Sequence, residues 1–146
     1  MGKFELKETP VAYFASSELE VGEIIGYSQK FSKGMNFILL MKSDEKLVKR
    51  LLPAYVNACV RYEEGETRAR SLAMEMLLFV SGTMRTDKAI KEFGASDNSG
   101  FILFGSNKSI LKDFVRKTKI KLEKEYKLEL DLDISGEVAS AGIIED

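Results

Sequence analysis

The chain has 146 residues, of which 45% are apolar and 31% charged, with a net charge of −1 and no histidine. That size supports one domain over residues 1–146, with a core large enough to dispense with disulfides and structural metals. The charge balance excludes a global basic field for nonspecific duplex binding, and the missing histidine removes the commonest general base, zinc ligand and near-neutral switch.

No apolar run approaches the ~18 residues needed to span a membrane, and the start, MGKFELKETP, lacks the apolar segment of a signal peptide, so a cytoplasmic location is expected. Cys59 has no partner for an internal disulfide and reads as a buried small apolar residue.

Phe4, Leu6, Val11 and Tyr13, with Pro10 between them, predict an extended segment bent at the proline and placed at a sheet edge. Ser17 and Glu20 have the spacing of a capping box for a helix running to about Lys30 with Leu19, Ile24 and Tyr27 on one face. Gly22 and Gly26 weaken that helix or admit a neighbouring backbone. Met35 to Met41 is a continuous apolar run, the pattern of a strand covered on both faces. Asp44 then caps a helix carrying Leu47, Val48, Leu51, Leu52, Tyr55, Val56 and Cys59. Pro53 predicts a kink there or a break into two helices.

Gly65 and Thr67 are placed to stop that helix and start the next, which runs from about Arg68 to Val80 and is apolar around most of its circumference. On this central helix Glu75 is expected on a narrow exposed stripe. Thr83 or Thr86 caps a further helix with Ala89, Ile90 and Phe93 inward and Gly94 in a left-handed C-terminal position. A turn at Asp97–Gly100 leads into a strand at Phe101–Phe104, and Ser106 or Asn107 starts a helix with Ile110, Leu111, Phe114 and Val115 inward. Leu128, Leu130, Leu132 and Ile134 alternate with acidic residues, as in a strand buried on one face, and the tail after Gly136 adds a strand or docks. The fold class is α+β: a mixed sheet flanked by helices in one domain.

The sequence contains no phosphate-cradling glycine loop, nucleophile elbow, zincin motif or cysteine pair. No catalytic residue, metal or cofactor is therefore assigned, and an enzyme is not expected. The basic stretch from Lys108 to Lys124 is interleaved with Asp113 and Glu123, and charged faces of this kind are ordinarily just solvated. Ser81-Gly82-Thr83-Met84-Arg85 is the better candidate: hydroxyls, an arginine and the free amides of a helix start lie together, a combination able to bind phosphate or a nucleotide edge. An ordinary turn between helices is the alternative at that point.

Met74-Glu75, Ser81-Gly82, Ala89-Ile90-Lys91 and Phe93-Gly94, in that order and spacing, resemble the kinase-binding subunit family of the KEOPS complex, which makes threonylcarbamoyladenosine in tRNA. The resemblance covers about a quarter of the chain closely and the rest by element order. It implies a noncatalytic accessory subunit that binds the small atypical kinase or ATPase subunit and helps recruit tRNA through its single-stranded CCA end. Under that reading Ser81, Gly82, Thr83 and Arg85 are the RNA-binding candidates, while Met84 and Phe93 are candidates for the kinase interface. Arg85 stands near a position where family members often carry an amide residue. The competing reading is a small-molecule-binding regulatory domain whose pocket is bordered by the Gly82 turn and the Gly94–Gly100 connection. A carboxylate-dependent enzyme using Glu75 or Asp97 is a weaker third.

Overall fold

The computed structural model describes residues 9–67 and 69–128. Phe4 and Leu6, the start of the central helix at Arg68, the alternating stretch from residue 129 and the tail after Gly136 lie outside them. Among the described residues the order is β1 (Val11–Ser16), α1 (Val21–Phe31), β2 (Ile38–Lys42), a 3-10 turn (Glu45–Leu47), α2 (Val48–Glu63), α3 (Leu72–Ser81), α4 (Thr86–Phe93), β3 (Phe101–Gly105), α5 (Lys108–Thr118) and β4 (Lys121–Tyr126).

The four strands form one sheet in the order β2-β3-β1-β4, and all three pairings are antiparallel. The fold is α+β as expected, but the described sheet is antiparallel rather than mixed. β1 lies inside it, not at an edge. Pro10 immediately precedes the strand and therefore removes no ladder donor from it.

β2 and β3 are apolar on both faces because helices cover both. Leu39, Met41, Ile102 and Phe104 pack with α2 and α3, while Ile38, Leu40, Phe101 and Leu103 pack with Ile24 of α1 and with Leu111 and Phe114 of α5. Phe37, Tyr55 and Phe104 meet with ring centroids 5.5–5.9 Å apart, joining α2 to the sheet. Fixed alternation thus turns one apolar run into two cores.

The helix starts differ from the sequence reading. Glu20, not Ser17, precedes α1, and the Ser17 hydroxyl accepts from the Leu19 amide in a local turn. A Cβ at Gly22 or Gly26 would meet nothing within 4 Å, so neither glycine admits a neighbouring backbone. Asp44 caps the 3-10 turn by accepting from the Lys46 amide. α2 is not broken in two at Pro53: one helix runs Val48–Glu63 with the buried proline in its second turn. Gly65, at φ +71, ends the segment as expected. Ser71 replaces Thr67 as the cap of α3, accepting from the Met74 amide.

Candidate functional site

The candidate turn is set by the end of α3. Gly82 takes φ +73 at the C-cap and donates its amide to the Leu78 carbonyl. Glycine suits this left-handed conformation, which crowds any residue bearing a Cβ. Arg50 of α2 donates to the Val80 carbonyl at 3.0 Å, supplying a cation and a donor where a helix C-terminus has unpaired oxygens. Only the packing of α2 on α3 reveals this partner, 30 residues away in sequence.

Ser81, Gly82, Thr83 and Arg85 are brought together, but they largely serve one another. Ser81 donates to the Leu78 carbonyl and its oxygen receives the Thr83 amide, while the Thr83 oxygen receives the Arg85 amide at 3.2 Å. Arg85 is the N-cap of α4 and contributes no side-chain cap. Neither threonine caps this helix.

The Arg85 guanidinium pairs with Asp87 at 2.9 Å, and this hydrogen bond is the main reason the Asp87 carboxyl lies below its usual range. The neighbouring Lys88 amide and Asp87's own amide lower it further. Asp87 therefore occupies the place at the helix start where an added phosphate would sit. What the turn retains for a ligand is the donor hydrogen of Thr83 and the guanidinium hydrogens not used by Asp87. These fit a base edge better than a phosphate.

The apolar candidates also separate. Met84 is 47% exposed, whereas Phe93 is half-buried against the core with the Lys42 ammonium 5.0 Å from its ring centre. Ile90, expected inward, is 51% exposed. Ala89 and Phe93 are four residues apart and share a face, while Ile90 lies about 100° round the helix from Ala89. That offset was the available sequence signal for exposure.

Gly94 is extended at φ −69 rather than left-handed. A Cβ there would lie 2.5 Å from the Ile90 carbonyl oxygen, so close approach requires the glycine. Gly94 also forms a bridge with Met41, which fixes the end of α4 against β2.

Glu75 is fully buried rather than on an exposed stripe, and it accepts from the Ala69 amide at 3.0 Å, tying the connection before α3 to that helix. Asp97 holds the amide and hydroxyl of Ser99, bonds that keep its carboxyl below its usual range. Both carboxylates have local structural roles.

A groove of about 430 Å³ lies between α1, β2, α3 and α4, with Ile25, Leu39, Met74, Leu77 and Ile90 among its lining residues. Gly94 and Ala95 border it, but Gly82 and Gly100 do not. Among the described residues no group of three or more acidic or cysteine side chains is arranged to hold a metal, and no helix is long and apolar enough to cross a membrane. The chain matches no protein-family model and no curated protein sequence.

Proposed function

We propose that the protein is a noncatalytic accessory subunit of the KEOPS tRNA-modification machinery, acting in the cytoplasm. It binds the small atypical kinase subunit and helps recruit tRNA by its CCA end. The carrying observation is the exposed apolar pair Met84 and Ile90 on the α3–α4 unit that also bears the family-like residues. Exposed apolar side chains, with Ile90 on the wall of the groove, suit a protein contact. Phe93 is half-buried at the end of the same helix as Ile90, and the remaining donors of Thr83 and Arg85 suit an unstacked base.

The test measures binding of the purified kinase subunit, then of mature tRNA and tRNA lacking CCA. Met84→Glu/Ile90→Glu should abolish kinase binding with unfolding unchanged, and Arg85→Ala should weaken binding only to mature tRNA. Kinase binding insensitive to the double substitution would remove the proposed interface.

The volume and apolar lining of the groove favour a second reading, a small-molecule regulatory domain. It predicts stabilisation by an apolar ligand, abolished by Ala73→Leu in the groove wall, with no kinase or tRNA binding.

A further inference from the structure

α5 and β4 concentrate charge that the rest of the chain does not share. From the start of α5 to the end of β4, residues 108–126 carry seven basic and three acidic side chains, a local +4 in a chain of net −1. Helix stability does not account for all of it. Arg116 and Lys117 complement the negative end of α5, but Lys108 sits in the first turn, which contains no acidic residue. A cation at that end opposes the helix dipole.

Pairing does not neutralise the face either. Arg116 lies 3.9 Å from Asp113 and Lys124 lies 3.5 Å from Glu45, both exposed contacts. Among the described residues Lys108, Lys112, Lys117, Lys119 and Lys121 have no ion-pair partner.

A depression lies at the C-terminal end of α5. α5 is C-capped by Lys119, whose φ of 54 is the one positive value at a described non-glycine residue, and the chain turns there into β4. The turn places Lys117, Lys119 and Lys121 on a concavity of about 860 Å³ that Ser16, Ser17 and Ser99 also line. The Ser17 amide donates to the Asn98 carbonyl, fastening its two serine-bearing loops together. Glu18 and Glu123 also line it, and Lys117 lies about 140° round α5 from Lys112, so the concavity and the lysines earlier in α5 are two flanks of one solvent-facing helix. Lys108, Lys112 and Arg116 recur every four residues, giving a stripe about 12 Å long.

We infer that the α5–β4 face binds the phosphodiester backbone of RNA, at a site separate from the Ser81–Arg85 turn. This rests on the reading that the protein engages tRNA, but it assigns affinity to α5–β4 and base recognition to the turn. Such contacts position an RNA without reading its sequence.

The test is fluorescence anisotropy of the full chain with mature tRNA and tRNA lacking CCA, at about 50 mM and about 200 mM salt. Lys108→Ala/Lys112→Ala/Lys117→Ala/Lys121→Ala should weaken binding to both RNAs by at least about tenfold and make the slope of log affinity against log salt shallower by about 3. The corresponding four lysine-to-arginine substitutions should retain binding, which separates charge from folding. Unchanged affinity in the alanine variant would overturn the inference, as would absence of wild-type binding at low salt. Displacement by millimolar inorganic phosphate at constant ionic strength would also overturn it, leaving a single-phosphate site. If the lysine effect is seen while Arg85→Ala and CCA removal do nothing, the basic face stands and the CCA-recruiting function fails. The opposite pattern fails the face alone.

Discussion

Gly82 and Gly94 bracket α4 and resist substitution for different physical reasons. Gly82 has open space around it but a left-handed backbone, so Gly82→Ala should cost about 1–2 kcal/mol in strain. At Gly94 the backbone is ordinary and space is absent, because the new Cβ would strike the Ile90 carbonyl while Gly94 is bridged to Met41. Gly94→Ala should therefore cost more, about 2–3 kcal/mol, and shift the end of α4 from β2. Denaturant midpoints of the two variants measure the order, and equal midpoints would contradict it. Cys59 gives a residue-level pH dependence. Burial pushes its thiol from 9.0 up to about 11, with the Glu63 charge adding to the shift and a Tyr55 hydrogen bond opposing it. Because the folded value is raised, the unfolded chain loses this proton first. Its stabilising contribution is fully present below pH 9 and disappears as pH rises towards 11. The drop in stability over that window should be smaller in Cys59→Ala, measured by urea unfolding at each pH.

At the scale of elements, the sequence made legible whatever depends on uninterrupted apolarity. β2, β3 and α3 could be located because two cores flank the sheet and α3 is enclosed on nearly every side. Capping was less legible, since Ser17, Thr67 and Thr83 all have the right chemistry and tertiary packing decides where each helix begins. Glu75 was misread for a related reason: a carboxylate is ordinarily exposed, but the amide it holds comes from the preceding connection, whose path no periodicity reveals. In the candidate turn, sequence brought the four polar residues together but could not show that Asp87 already occupies the helix start. α5 poses the reverse case, with Asn107 capping it as expected and Lys108 placed against its dipole. Lys108→Glu should raise stability by about 0.3–1 kcal/mol while weakening RNA binding. A variant that loses both would mean that Lys108 serves the fold.

For the whole molecule, the arrangement divides the proposed partners between surfaces. α3 builds the core on one face of the sheet with α2, and the turn and helix that follow it carry Met84 and Ile90. α5 packs with α1 on the other face and turns its lysines to solvent. No residue of the apolar pair belongs to the basic face, so the two surfaces should act independently. Met84→Glu/Ile90→Glu should abolish kinase binding and leave the affinity for tRNA lacking CCA within about twofold, because changes at separated sites add with an error of about 0.3–0.5 kcal/mol. The quadruple lysine-to-alanine variant should do the reverse. Wild-type protein saturated with RNA should then bind the kinase with unchanged affinity, measurable by titration at fixed salt. A shift of tenfold or more would require a coupling of about 1.4 kcal/mol between the surfaces, and linkage would require the kinase to change RNA affinity by the same factor. The sheet shared by the two cores would then be the route to examine, since Leu39 and Met41 face one core while Ile38 and Leu40, on the same strand, face the other.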